Sequence, residues 1–213
     1  MKERPKNERG ISLVELQIAA FISIIVGGIS FFTLFRSQSA YNLGEKMADL
    51  HYRARQSMDR MSEDIRLAGY GVDAGGLAIL QAKRKEMTML SDLDDDGDID
   101  TVHFYLSDPN GLQSTPNPND RILYKSMNGS SPGAQLGFSF TKIMFGFYDE
   151  SGNDLVFYGG PDPYVQAEKL MEIRLITIEL TAAMPKPDKD GTYRSLELKS
   201  SINPRNLILL ANN

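Results

Sequence analysis

The stretch Arg9-Gly10-Ile11-Ser12-Leu13-Val14-Glu15-Leu16 opens an apolar segment that continues to Phe35. As an α-helix, residues 11–35 would span about 37 Å, which is enough to cross the hydrocarbon core of a membrane. Glu15 is the only charged residue in that segment. A carboxylate inside a bilayer costs roughly 2–4 kcal/mol unless it has a partner, so we interpret Glu15 as a functional residue.

Residues 1–10 precede this segment and contain four basic and two acidic side chains. Basic residues beside an apolar segment stay in the cytoplasm, so we expect the N-terminus inside and the chain after the helix outside. A cleaved secretory signal fits less well, because its apolar region is usually about 7–15 residues long and ends at a small-x-small site. Ser37-Gln38-Ser39-Ala40 matches such a site poorly.

Composition limits the class of protein. The 213 residues leave enough chain outside the membrane segment for one domain of ordinary size, and the 41% hydrophobic content predicts that this part folds. The net charge is −5, and residues 1–10 contribute +2, so the remainder carries −7. That balance argues against a generic nucleic-acid-binding surface. Cysteine is absent, so an exported domain must be stabilised by its core or by a metal rather than by disulfides.

The chain from Arg36 onward is amphipathic and contains no proline before Gly69. Its apolar residues recur mostly at intervals of three or four, as on one face of a helix. We therefore predict one helix from about Ile11 to about Leu67, ended by Gly69 and Gly71. The predicted apolar stripe consists of Tyr41, Met47, Leu50, Ala54, Met58, Met61, Ile65 and Ala68.

The sequence after Gly76 is typical of β-structure. Residues 176–181 alternate between apolar and polar side chains, as expected for a sheet with one covered face. Residues 107–120 and 126–137 are rich in Pro, Asn, Gly and Ser and are predicted to be loops. The fold class is therefore α+β, with a long N-terminal helix packed on an antiparallel sheet. Predicted strands are Leu77–Lys83, Glu86–Leu90, Thr101–Leu106, Arg121–Lys125, Phe138–Tyr148, Leu155–Tyr158, Leu170–Ala183 and Tyr193–Ile202.

Two parts of the chain resemble a known family. Gly10-Ile11-Ser12-Leu13-Val14-Glu15-Leu16 resembles the class III signal of type IV prepilins and type II secretion pseudopilins, in which a charged leader and Gly precede an apolar helix with an early Glu. Asp64-Ile65-Arg66-Leu67-Ala68-Gly69-Tyr70 and Pro204-Arg205-Asn206-Leu207 are similar to the PilW group of minor pilins, and more loosely to J-type minor pseudopilins. The middle of the chain shares only the general pattern.

The resemblance implies a type IV pilin-like fold and a processing site. A prepilin peptidase would cleave between Gly10 and Ile11 and methylate the new N-terminus. Glu15 would neutralise that amine, its own or a neighbour's, and so set the register of adjacent helices. The implied segments are a cytoplasmic leader at 1–10, a transmembrane half-helix at 11–35, an amphipathic half-helix at 36–68 and a β-rich periplasmic or extracellular head at 69–213.

The function implied by the resemblance is structural. The chain would be a minor pilin that primes or caps a type IV pilus, with adhesion, motility or DNA uptake as outputs of the pilus. Its partners would be other major and minor pilins, contacted through the N-terminal helix. It would lie in the inner membrane as a single-pass protein with a cytoplasmic N-terminus before assembly, and in the pilus at the cell surface afterwards.

Two alternatives stay open: a minor pseudopilin of a type II secretion system, and a signal-anchored periplasmic calcium-binding protein outside any filament. We do not expect an enzyme. Neither His51 nor His103 belongs to a recognisable nucleophile triad or zinc signature.

An aspartate-rich segment, Asp92-Leu93-Asp94-Asp95-Asp96-Gly97-Asp98-Ile99-Asp100, carries the strongest ligand-binding pattern. Asp92, Asp94, Asp96 and Gly97 reproduce positions one, three, five and six of an EF-hand-type calcium loop. Alternate acids converge on one cation, and the glycine permits the sharp turn. The sequence therefore predicts a Ca²⁺ site here, where a metal could replace the missing disulfides.

The remaining positions of this segment match the calcium loop less closely. Asp98 can offer its backbone carbonyl, and Asp100 can bind directly or through water. His103 stands at the twelfth position, where a bidentate Glu is usual, and the flanking residues 86–90 and 101–106 are predicted strands rather than helices. The alternative is a solvated acidic hairpin turn without a metal.

Overall fold

The structure is a computed structural model, and it describes residues 12–73, 75–109, 115–187 and 190–207. The chain divides into two compact units, one ending at Lys46 and one beginning at Met47. Helix α1 (Leu13–Arg66) contributes to both. The predicted α+β class and the predicted long helix are both confirmed.

The first unit contains the apolar part of α1. Its large apolar side chains between Leu13 and Phe35 are 46–73% exposed. The hydroxyls of Ser23, Ser30 and Thr33 each donate to the carbonyl oxygen four residues earlier, at 2.8–2.9 Å, so these polar groups are satisfied within the helix. The helix is long and apolar enough to span a membrane, which is consistent with membrane anchoring.

The second unit contains an antiparallel sheet. The strands in the described residues are β1 (Ile79–Ala82), β2 (Met87–Ser91), β3 (Asp100–Leu106), β4 (Arg121–Met127), β5 (Ala134–Tyr148), β6 (Val156–Phe157), β7 (Tyr164–Val165), β8 (Leu175–Ala183) and β9 (Ser195–Ile202). Seven of these strands form the sheet in the order β1-β2-β3-β4-β5-β8-β9, while β6 and β7 pair separately. The chain therefore runs from neighbour to neighbour, apart from one excursion between β5 and β8.

The core of this unit joins the second part of α1 to one face of the sheet. The predicted stripe is confirmed from Leu50 to Ala68, whose six apolar members are all buried. Alternate side chains of the strands face the same core, including Met87 and Met89 of β2 and Phe145 of β5. Tyr41 was placed on this stripe wrongly. It is 76% exposed, because it precedes Met47 and belongs to the other unit.

Polar contacts hold the helix at defined points on the sheet. The Ser57 hydroxyl lies 3.0 Å from the carbonyl oxygen of Leu136 on β5. The Lys125 ammonium on β4 lies 2.8 Å from the Asp64 carboxylate, and both side chains are largely buried. Such contacts are directional, so they set the position of α1 where apolar packing alone would tolerate sliding.

Gly69 and Gly71 follow the helix, as predicted. Both have positive φ, 82° and 77°, which favours glycine. The Gly69 N–H donates to the carbonyl oxygen of Leu90 at 2.8 Å, and the Ser91 hydroxyl donates to the carbonyl oxygen of Leu67 at 2.7 Å. The helix end is therefore hydrogen-bonded to the end of β2.

Two strand starts differ by more than two residues from those predicted, and one strand was not predicted. Strand β5 begins at Ala134, inside the predicted loop 126–137. The predicted strand Leu170–Ala183 is wrong at its start, because a 3₁₀ helix occupies Ala167–Glu172 and buries Leu170. Strand β7 was not predicted. Short apolar runs do not distinguish helix from strand, and glycine-rich strands look like loops when their packing partner is distant in sequence.

Candidate functional site

The first candidate site is the N-terminus of α1. The Ser12 N–H donates to Oε2 of Glu15 at 2.9 Å, and the Val14 N–H donates to the Ser12 hydroxyl oxygen at 3.3 Å. These reciprocal bonds form a capping box, in which a Ser precedes the helix and a Glu occupies its third position. Gly10 and Ile11, the predicted cleavage residues, lie outside the described residues.

This capping geometry gives Glu15 a local role. The first N–H groups of any helix lack partners within it, and each unsatisfied N–H costs several kcal/mol in hydrocarbon. The negative charge also lies at the end of the helix where the macrodipole favours it. This role was not predicted from sequence, although Ser12-Leu13-Val14-Glu15 has the S-x-x-E spacing that signals a capping box.

The second candidate site is the aspartate-rich segment, which connects β2 to β3. The two strands pair from Met87↔Phe104 to Ser91↔Asp100, so the segment closes a hairpin rather than joining two helices. One carboxylate oxygen from each of Asp92, Asp94 and Asp96 lies within 4.8 Å of the others. The structure thus brings together three of the five predicted ligands.

Asp92 is the buried member of this group. The Asp92 residue is only 6% exposed. Oδ2 accepts the Gly97 N–H at 3.1 Å, while Oδ1 is buried and has no hydrogen-bond partner among the described residues. Buried carboxylate oxygens are normally satisfied, and an unsatisfied one costs roughly 1–3 kcal/mol or more.

The other members of the group are exposed and repel one another. Partial desolvation, followed by the charges of Asp96, Asp100 and Asp92, raises the pKa of Asp94 above its ordinary value. Desolvation and the charges of the neighbouring aspartates therefore both disfavour the ionised form of Asp94.

Asp98 and Asp100 lie apart from the three grouped carboxylates. Asp100 accepts the Asn128 side-chain amide at 2.7 Å and the Leu93 N–H at 3.4 Å. Its carboxylate therefore has protein partners of its own. The Asp98 N–H donates to Oδ1 of Asp96 at 2.9 Å, and Asp98 itself is exposed.

His103 has different neighbours from the aspartates. Its Nε2 lies 3.6 Å from Oε2 of Glu86, and its ring stacks on Tyr105 at 4.8 Å between centroids. The histidine therefore does not substitute for the twelfth-position Glu of an EF-hand loop. Any cation held here would complete its coordination with backbone carbonyls and water.

Two residues that support the aspartate-rich segment were not identified from sequence. The Tyr70 hydroxyl donates to Oδ1 of Asp95 at 3.0 Å, just after the end of α1. The Asn128 side chain donates a hydrogen bond to Asp100 and accepts one from the Thr101 N–H at 2.8 Å. Asn128-Gly129 carries a turn signal, but its contact with a segment 28 residues away has no local signature.

A concavity of about 370 Å³ is lined by residues of β3, β4 and β5 and by the turn before β2. Its rim mixes basic and acidic side chains, and several are already engaged. Arg84 donates to the carbonyl oxygen of Phe145 at 3.2 Å, and the Lys142 ammonium lies 2.9 Å from Glu179. These contacts already engage part of the rim, and we assign the concavity no ligand.

No protein-family model matches the sequence, and no curated protein is significantly similar to it. The long apolar helix and the antiparallel sheet packed on its second part are compatible with a pilin-like fold.

Proposed function

We propose that this protein is a minor pilin of the PilW type, anchored in the inner membrane before assembly and incorporated into a type IV pilus afterwards. One observation carries the proposal. A single helix, Leu13–Arg66, exposes its apolar side chains before Phe35 and buries a separate apolar stripe from Leu50 onward. The first surface needs a lipid or protein environment, and the second belongs to the head.

Exchange of lipid for neighbouring subunits needs a specific driving force. Lipid tails are as apolar as the side chains of residues 13–35, so hydrophobic burial gives little preference for another helix over lipid. Packing and polar contacts must supply that preference. Glu15 is the one ionisable side chain in the segment, and it is the group best suited to define which helices pack and in which register.

The partner we propose for Glu15 is the amine created by cleavage before Ile11. A lone carboxylate and a lone amine are each expensive in hydrocarbon, whereas a pair is far less so. The amine can come from the same chain or from an adjacent subunit. The capping contact with Ser12 holds the Glu15 carboxylate at the helix N-terminus, where such an amine would lie.

Mass spectrometry of the mature protein from its native host tests the processing step. We expect an N-terminus at Ile11 that carries one methyl group. Gly10→Val should leave the leader attached, while the control substitution Gly44→Ala, within α1, should be processed normally. An intact N-terminus in the wild-type protein would contradict the proposal.

The pilus and the type II secretion pseudopilus are separated by phenotype. Deletion of a minor pilin gene should reduce sheared surface filaments, whereas loss of a pseudopilin should block release of secreted proteins and leave pili intact. A signal-anchored protein outside any filament should change neither. A secretion defect with intact pili, or no change in either property, would contradict the assignment to a pilus.

A further inference from the structure

We propose that the aspartate-rich segment binds one Ca²⁺ ion through Asp92, Asp94 and Asp96, and that this ion fixes the end of α1 against the β2–β3 hairpin. The proposal concerns the head alone and does not depend on the filament role. It rests on a buried oxygen that has no hydrogen-bond partner in the part of the chain that the structure describes, on the grouping of three carboxylates, and on the contacts between the hairpin and the helix end.

The buried oxygen of Asp92 points to a missing ligand. Asp92 belongs to the three-carboxylate group and is 6% exposed. Because the Gly97 N–H donates to Oδ2, Oδ1 is the atom that lacks a hydrogen-bond partner within residues 12–73, 75–109, 115–187 and 190–207. In a solvated acidic turn, water would donate a hydrogen bond to each carboxylate oxygen. A buried carboxylate oxygen in a cluster of acids either binds a cation or leaves the cost of its desolvation uncompensated.

The grouping of the carboxylates allows them to share one cation. One oxygen from each of the three side chains lies within 4.8 Å of the others, and two oxygens bound to one calcium ion at 2.3–2.6 Å stand at most about 5.2 Å apart. Calcium is the divalent cation that we propose, because it accepts several carboxylates in flexible geometry, whereas magnesium demands near-ideal octahedral geometry and gives up its water reluctantly.

The ion would complete a set of contacts that already connects the hairpin to the helix end. The Asp92 N–H donates to the carbonyl oxygen of Tyr70 at 2.9 Å, and the Tyr70 hydroxyl donates to Asp95 at 3.0 Å. A Cβ added at Gly71 would lie 2.9 Å from Cβ of Asp92 and 3.0 Å from Cδ1 of Ile99. The helix exit and the segment are therefore in direct contact, so ordering one orders the other.

The expected affinity is modest. Three carboxylates bind the ion. The bidentate Glu of an EF-hand is absent, since His103 stands at the twelfth position and contacts Glu86. Sites of this kind in extracellular modules have dissociation constants of about 10⁻⁴–10⁻³ M. A protein exported to a calcium-containing medium would still fill such a site.

Thermal unfolding of the full-length protein in detergent micelles tests the site. After EGTA treatment, Ca²⁺ at 100 times its dissociation constant should raise the midpoint by about 5–10 °C. The same concentration of Mg²⁺ should produce a much smaller shift. Absence of any calcium-dependent shift in the wild-type protein would overturn the proposal.

Matched substitutions locate the ion. Asp94→Asn removes an exposed ligand and should weaken calcium binding at least about tenfold, whereas Asp98→Asn, equally exposed but outside the group, should change it less than about threefold. If Asp94→Asn fails to fold by circular dichroism, Asp96→Asn takes its place. Equal losses in the ligand and control variants would indicate only a diffuse acidic surface and would sink the site.

Terbium luminescence provides a direct readout. The protein has no Trp, so Tyr side chains are the sensitisers for Tb³⁺. Tyr70 contacts the segment through Asp95, so Tyr70→Phe should lower the sensitised emission. The affinity for Tb³⁺, measured by competition with calcium, should be nearly unchanged. Unchanged emission in Tyr70→Phe would show that the bound ion lies elsewhere.

Discussion

The hydroxyl of Ser57 lies 3.0 Å from the carbonyl oxygen of Leu136, and the next residue of β5 is Gly137. A Cβ added at Gly137 would overlap that hydroxyl oxygen and would stand 2.9 Å from the Phe140 ring. The helix and the strand can approach this closely because the strand presents a glycine here. A side chain at this position would separate them or displace Ser57.

We expect Gly137→Ala to destabilise the head by about 1–3 kcal/mol, the usual cost of inserting atoms into a well-packed core. Chemical denaturation followed by circular dichroism measures the effect. Gly160→Ala is the matched control, because a Cβ there meets no atom within 4 Å. If the two variants unfold at the same denaturant concentration, close packing at Gly137 is not important for stability.

The ion pair between Lys125 and Asp64 should contribute measurably, because the two side chains are only 16% and 20% exposed. Asp64→Asn should cost about 1–3 kcal/mol, between the values for surface and fully buried pairs. The control is Asp59→Asn on the same helix, whose contact with Arg55 is 3.9 Å and largely exposed. That substitution should cost about 0–0.5 kcal/mol. Equal effects would mean that water screens both pairs alike.

Acid should weaken the fold partly through Glu179. Its hydrogen bond to Lys142 at 2.9 Å, and then the charge of Lys199, hold the pKa of Glu179 below its ordinary value. The unfolded chain therefore takes up this proton more readily than the folded chain. The resulting stability is present above the ordinary glutamate pKa of about 4.3 and is lost as pH falls through the lower folded value.

We accordingly expect Glu179→Gln to reduce the free energy of unfolding at pH 7 and to have a progressively smaller effect between about pH 5 and pH 3. Urea titrations at each pH measure this difference. In a Lys142→Met background the effect of Glu179→Gln should shrink, because its main partner is gone. A pH-independent difference would show that Glu179 acts through packing rather than charge.

Local patterns were sufficient to predict the main elements. The buried stripe from Leu50 to Ala68 and the alternation over residues 176–181 both follow from a regular backbone facing one core. The start of β5 could not be predicted in this way. Residues 134–137 include Gly137, which reads as a loop residue until Ser57, 80 residues earlier, is known to lie against it.

The candidate site also combines features that the sequence predicts with features that only the tertiary contacts reveal. The spacing of Asp92, Asp94 and Asp96 was visible in the sequence, and the structure groups those three carboxylates. The burial of Asp92 was not visible, because it results from contact with Tyr70 and Gly71 after the helix end. Sequence spacing predicts which side chains converge, whereas tertiary contacts decide which oxygen is left without a partner.

The two roles of Glu15 can be separated by substitution. Glu15→Gln keeps a side chain that can accept the Ser12 N–H in a capping box but removes the charge, whereas Glu15→Ala removes both. If Glu15 pairs with the N-terminal amine, both variants should lose assembly at least about 100-fold, since breaking a buried pair costs roughly 3–5 kcal/mol. Quantification of the subunit in sheared filaments, relative to its amount in the membrane, measures this loss.

Glu45→Gln is the matched control for this prediction, because Glu45 is exposed on the same helix beyond the apolar segment. It should assemble as the wild type does. Should Glu15→Gln also assemble normally while Glu15→Ala does not, the hydrogen-bonded helix start rather than the charge is what the filament requires. In that case the capping contact observed between Ser12 and Glu15 would be the functional state of this residue, and the register of the subunits would depend on side-chain packing alone.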